Sequence, residues 1–275
     1  MVMKKVFWII LCMFFILPVI FAENMKLHYE RPAEYFEEAL VIGNGTMGAT
    51  LYGGVKKDKI SFNDITLWTG EPESENSSPD AFNAIPEIRA LLDNEDYQGA
   101  DKAQYKVQGH YSENYQPLGT LTIEYLDDTV GISDYHRWLD IGNATARTQY
   151  LKGGKLFTSD YFASAPDSVI VIRLKSENKE GIHALLSFDS PLPHSSQVAD
   201  NEISVEGYAA YHSFPVYYKA EDKHRYDPER GIHFKTLVRV LSVDGRVKNR
   251  YSDSRIEIDG STEVLIWVAN VTSFN

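Results

Sequence analysis

An all-β fold, a large antiparallel β-sandwich with a short inserted helical segment at about residues 78–108, is what this sequence predicts. Three observations carry that prediction. Short runs rich in β-branched residues recur roughly every ten residues, turn signals such as Lys152-Gly153-Gly154-Lys155 and Asp244-Gly245 separate them, and one stretch alone switches to helical spacing. Aromatic residues make up 12% of the chain, with 17 Tyr, 13 Phe and 4 Trp, and such rings suit both sheet cores and sugar-stacking surfaces.

The chain opens with Lys4 and Lys5 before an apolar run from Val6 to Ala22, which then gives way to Glu23 and Asn24. A basic start, an apolar middle and Ala22 at the cleavage position predict a secretory signal peptide over residues 1–22. An uncleaved anchor is the alternative, since the run approaches the roughly 20 residues that span a bilayer. Cys12 lies inside the run, so cleavage would leave no cysteine, no disulfide and no thiolate metal site. Export without cysteines points to a bacterial periplasm or secretion, with no membrane contact after cleavage. Loss of Lys4 and Lys5 takes the net charge from -12 to -14, which disfavours nucleic acid and anionic membrane as partners. Residues 23–275 are then expected to form the sandwich domain.

The first element holds Gly43-Asn44-Gly45-Thr46-Met47-Gly48, a G-x-G-x-x-G with Asp64 about 20 residues beyond its first glycine. A dinucleotide loop needs a helix directly after it, and Ala49-Thr50-Leu51-Tyr52 runs instead into Gly53-Gly54 and a strand-like Lys59 to Phe62. The reading is strand, glycine turn, strand, hairpin, strand. Glu71-Pro72-Glu73-Ser74-Glu75 reads as an acidic loop. After Ser77-Ser78-Pro79-Asp80, Ile85, Ile88, Leu91 and Leu92 recur at helical spacing with Pro86 expected in the first turn, and a second short helix is predicted over Tyr97 to Val107. The remaining strands are Gly119–Tyr125, Ala146–Tyr150, Leu156–Ala163, Ser168–Lys175, Ile182–Phe188, Glu202–Glu206, Lys235–Val243, Arg255–Ile258 and Val264–Ala269. The last of these stops six residues before Asn275 without a polar tail, and the expectation is a chain cut off before its next element.

Chemistry-bearing residues are less decisive. The eight histidines show no pair at i, i+4 and no H-E-x-x-H, so no metal set is expected, and no Ser or Thr has an identifiable base for covalent catalysis. Paired carboxylates would suit a glycosidase, but Glu37, Glu38, Asp58, Asp64, Glu71 and Glu73 include no pair that sequence alone singles out. The best candidate for sugar contact is Phe62 to Pro72, where Trp68 could stack on a sugar face while Asn63 and Asp64 bond hydroxyls. The competing reading puts Trp68 in the sandwich core and has Asn63 and Asp64 satisfy a turn. Four N-x-S/T matches, at Asn44, Asn76, Asn143 and Asn270, mean little in a bacterial host.

Linked motifs add a resemblance. Glu38 to Ala49, Tyr52-Gly53-Gly54-Val55 and Asn63-Asp64-Ile65-Thr66-Leu67-Trp68-Thr69-Gly70 resemble the amino-terminal domain of glycoside hydrolase family 95. The likeness continues through Ile85 to Leu92, Tyr115-Gln116-Pro117-Leu118-Gly119, Tyr135 to Asp140 and Phe162 to Ile170, nearly the whole chain beyond residue 22. Ile65 departs from the family's usual second acid, which puts a chemical role for that acid in doubt. The resemblance implies an α-L-fucosidase, or an α-L-galactosidase of the same family, in which a sandwich, a helical linker, an (α/α)6 barrel and a further β domain follow one another. It implies hydrolysis by inversion, with every catalytic group in the barrel, so no catalytic residue and no cofactor is assigned to this chain. The expected partners are the barrel and a fucosylated oligosaccharide or polysaccharide, with Asn63, Asp64, Trp68, Tyr115 and Gln116 at the pocket rim. A chain without the barrel would be inactive, because inversion needs an acid and a base roughly 6.5–9.5 Å apart across the sugar. A sandwich that binds carbohydrate without catalysis is the alternative of a different class.

Overall fold

A computed structural model describes residues 25–72, 80–109, 111–127 and 131–274. The expected signal peptide, most of the acidic loop and His110 lie outside the described residues. The described residues divide into two compact units, one within 1–67, 117–208 and 233–275, the other within 68–116 and 209–232. No described helix is long and apolar enough to cross a membrane.

The larger unit is the predicted antiparallel sandwich. Its chain runs through β1 (Lys26–Tyr29), β2 (Leu40–Gly43), β3 (Met47–Leu51), β4 (Lys57–Asp64), β5 (Gly119–Tyr125) and β6 (Ile132–Asp140). It continues through β7 (Thr145–Lys152), β8 (Lys155–Ser164), β9 (Val169–Ser176), β10 (Ile182–Asp189), β11 (His194–Ala199) and β12 (Glu202–Tyr208). The ribbon β13 (His212–Ser213) and β14 (His224–Arg225) belongs to the smaller unit, after which β15 (His233–Ser242), β16 (Arg246–Arg250), β17 (Arg255–Ser261) and β18 (Glu263–Thr272) complete the larger one. A nine-stranded sheet runs β1-β6-β7-β8-β9-β18-β15-β12-β11, and a seven-stranded sheet runs β16-β17-β10-β5-β4-β3-β2.

Most central strands bury every second side chain, because successive residues point to opposite faces. In β5 that buries Leu121, Ile123 and Tyr125, and in β10 Ile182, Ala184, Leu186 and Phe188. The two sheets meet through a polar and aromatic cluster as well as aliphatic packing. Tyr161 of β8 donates to Asp58 Oδ2 of β4 at 2.9 Å, and Gly54 N donates to Asp58 Oδ1 at 2.9 Å. Burial pushes the Asp58 carboxyl up to about 6, against the lowering effect of those two hydrogen bonds. Tyr135 Oη donates to Gly53 O, and a Cβ on Gly53 would stand 2.5 Å from that hydroxyl, so this glycine admits the close approach.

The glycine motif is the expected hairpin. Gly43 pairs with Gly48 across β2 and β3, Gly45 turns with φ +93°, and Asn44 Oδ1 accepts from the amides of Thr46 and Met47. Asn44 Nδ2 also reaches Ser164 O at 2.9 Å, which ties the turn to the end of β8. Ala49 to Leu51 continue as strand, so no helix N-terminus faces the loop.

In the smaller unit, α1 (Ala81–Asp93) and α2 (Tyr97–Ala103), followed by a 3-10 turn over Gln104–Val107, supply the predicted helices. Asp96 caps α2 by accepting from Gly99 N. Pro86 corrects one expectation: α1 starts at Ala81, so Pro86 sits in its second turn and leaves Phe82 without the usual amide partner. Segment 209–232 joins this unit, an association that no local pattern announces.

Candidate functional site

The expected contact residues fall into both units. Asn63 and Asp64 end β4 in the sandwich, where Asn63 is exposed opposite Gly48 and Asp64 is buried. Asp64 Oδ1 accepts from the amide and hydroxyl of Thr66 at 2.9 and 2.6 Å, and Oδ2 accepts from Asn270 Nδ2 at 2.8 Å. A buried carboxylate engaged on both oxygens has no lone pair aimed at solvent, which is the turn-satisfying arrangement. Leu67, not Trp68, fills core volume, with Leu67 0% and Trp68 42% exposed; the core reading of Trp68 is therefore corrected.

Trp68, Tyr115 and Gln116 all lie in the smaller unit. Trp68 and Tyr115 form an isolated antiparallel bridge, with ring centroids 5.5 Å apart and planes inclined at 60°. Both rings are exposed. Gln116 Nε2 donates to Tyr115 O at 3.3 Å. A tilted, water-facing aromatic pair offers CH-accepting faces with polar edges, the surface a pyranose ring uses.

What holds this pair is a half-buried polar cluster that sequence reading missed. Thr69 N donates to Asn114 O at 2.8 Å, and Asn114 N donates to Thr69 Oγ1 at 2.8 Å, so the residues flanking the pair are locked together. Glu113 Oε2 accepts from the Thr69 hydroxyl and from Ser213 N at 3.1 Å, while Oε1 meets His212 Nδ1 at 2.9 Å. Ser213, fully buried, lies 2.8 Å from both Asn114 Nδ2 and His224 Nδ1. Gly70 makes room: with φ +107°, a Cβ there would stand 2.7 Å from Glu113 Cγ. Thr-Gly after an exposed Trp was the one local signal; partners about a hundred residues away leave none.

The cluster orients groups and does not expose a nucleophile. Ser213 has a histidine neighbour but no exposed surface, and the Glu113 oxygens are spent on Thr69, His212 and Ser213. Beside it, Arg230 stacks 3.6 Å over the Tyr211 ring and pairs with Glu71, whose carboxyl it holds below the usual range. Tyr111 meets Tyr217 and Tyr218 edge-on, and Phe214 stacks on Tyr218. Metal ligation is where the fold departs from the linear reading: His28, Glu30 and His136 bring ligand atoms within 4.8 Å of one another in the sandwich.

Fold and site together define a β-sandwich domain with a smaller unit that presents aromatic surface. The chain belongs to the family described as glycosyl hydrolase family 65, N-terminal domain, which matches residues 27–275. It is similar to Alpha-L-fucosidase 2 of Arabidopsis thaliana, 28% identical over 258 residues, 91% of this chain and 30% of that protein. Probable alpha-fucosidase A of Aspergillus niger is 28% identical over 169 residues, 58% of this chain and 21% of that protein. Probable alpha-fucosidase A of Aspergillus oryzae is 24% identical over 246 residues, 86% of this chain and 32% of that protein. The chain thus spans about a third or less of the curated relatives it matches. The expected placement as a glycoside hydrolase's amino-terminal domain is met, under the number 65 where the motifs resemble family 95.

Proposed function

We propose that this chain is the amino-terminal domain of an exported α-L-fucosidase of family 95, which releases terminal α-L-fucosyl residues by inversion with catalytic groups supplied by a helical barrel. In this reading the sandwich buttresses the barrel, and the smaller unit offers Trp68, Tyr115 and Gln116 to a fucosylated glycan. The observation that carries it is an exposed Trp68–Tyr115 pair, held by a half-buried polar cluster, in a chain of a glycosyl hydrolase amino-terminal family. The fucosidase names of relatives that match up to 91% of the chain support the substrate class. Exposed Phe82, Ile85, Leu92, Tyr97 and Tyr105 give the smaller unit apolar surface of the kind a larger enzyme covers.

Alone, the chain should not hydrolyse an aryl α-L-fucoside, and turnover by the purified chain would refute the division of labour. Reading the coding DNA past Asn275 tests the placement: an open frame running into a helical barrel supports it, and an immediate stop favours the second reading. That second reading, a sandwich that binds carbohydrate without catalysis, is favoured by the same exposed pair. Calorimetric titration with a fucosylated oligosaccharide would then give saturable heat from the chain alone.

A further inference from the structure

We infer that the start of the sandwich carries a binding site for a divalent transition cation of the zinc type, formed by His28, Glu30 and His136. The three ligand atoms lie within 4.8 Å of one another, although His28 and His136 are far apart in sequence. Strand pairing brings them together. β1 and β6 are antiparallel, with His28 opposite Trp138 and Tyr29 opposite Arg137. Glu30 follows Tyr29, the last residue of β1, and His136 precedes Arg137, the partner of Tyr29 on β6. Residues two apart on a strand share a face, and directly opposed residues share it too, so His136, two before Trp138, lies on the same side as His28, and the Glu30 carboxylate reaches both. A search for ligands at i, i+4 misses this arrangement because a strand repeats every two residues.

Two further observations point to a ligand. The His28 and His136 rings stack at 5.1 Å with planes 29° apart, which holds both imidazoles together on this face. His136 Nδ1 is buried without a hydrogen-bond partner, an atom whose lone pair or proton is unsatisfied. Both His28 and Glu30 are exposed, so water can complete the coordination shell.

The donor set selects the ion. Two imidazoles and one carboxylate suit zinc, nickel or copper, whereas magnesium and calcium prefer oxygen throughout. Donors bound to zinc at about 2.1 Å sit roughly 3.4 Å apart in a tetrahedron, which small side-chain rotations reach from the present spacing. Such an ion would clip β1, whose four side chains are all exposed, onto β6.

The test uses the chain without a polyhistidine tag, stripped with EDTA and titrated with Zn2+ by calorimetry. The expected result is one ion per chain, no heat with Mg2+, and a thermal midpoint that rises with Zn2+. His28→Ala and His136→Ala should each weaken binding by at least the roughly 10–100-fold that losing an outer-shell partner costs. Glu30→Gln should weaken it less, and His194→Ala should leave it unchanged. His28 is exposed, so its variant keeps the fold even if His136→Ala does not, and circular dichroism checks this. No zinc uptake, or equal affinity in a folded His28→Ala, would overturn the site.

Discussion

The sandwich and the smaller unit bury side chains of different size. In the sandwich the covered side chains are mostly large and apolar, such as Ile60, Phe62, Leu121 and Ile123, with Asp58 and Arg137 buried among them. In the smaller unit the covered residues among those described are small ones, Ala84, Ala100, Ala103, Ala209, Ala210, Thr69, Gly70 and Ser213, while Phe82 and Tyr217 are 81% and 76% exposed. Apolar burial stabilises the first, and satisfied polar groups organise the second. The difference separates support from presentation: one unit holds a scaffold, and the other displays aromatic rings.

The largest way to break this contrast is Phe62→Ala. Phe62 is fully buried and packs on Phe188 at 6.0 Å, so truncation should cost about 3–5 kcal/mol in urea unfolding. Phe82→Ala, at an exposed position, should change stability by less than about 0.5 kcal/mol. Equal losses would erase the contrast.

Next comes the titration of Asp58, which burial pushes from 3.8 up to about 6. The folded state therefore holds this proton more tightly than the unfolded state. Its stabilising effect is complete below about pH 4 and is lost as pH rises through about 6, a change of about 3 kcal/mol. Unfolding free energies measured across that window should fall more steeply for the parent than for Asp58→Asn. Parallel curves would contradict the buried-carboxyl account.

Glu113→Ala sharpens the contrast from the other side. It removes an acceptor from Thr69, Ser213 and His212, and should cost about 1–3 kcal/mol. Hydrogen exchange should accelerate at the Asn114 and Ser213 amides, while β5 and β10 keep their protection. Gly45→Ala, at φ +93°, should cost about 1–2 kcal/mol in thermal unfolding, because the turn would force an L-residue into left-handed space.

How far sequence reached follows the same division. Central strands such as β10 and β18 alternate buried and half-covered residues, and their patterns predict them. β1, β11 and β16 escape prediction because they are sheet edges, with few buried positions to set an alternation. β6 is hidden by a register shift between Ser133 and His136, and by fully buried Arg137, whose guanidinium donates to the carbonyls of Arg31 and Glu38. At the site, Trp68, Tyr115 and Gln116 are legible as residue types. Glu113, His212 and Ser213 are not, since their meeting depends on segment 209–232 joining the helices.

The most direct test of the proposed role belongs to Trp68. Trp68→Ala should cost less in unfolding free energy than Phe62→Ala, since Trp68 is 42% exposed. The decisive measurement is a heteronuclear NMR titration of the chain with a fucosylated oligosaccharide. The account predicts saturable shifts at the Trp68 indole N–H and the Tyr115 and Gln116 amides, absent in Trp68→Ala, with the strands of the sandwich core unmoved. Silence at Trp68 and Tyr115, or shifts confined to the sandwich, would contradict it.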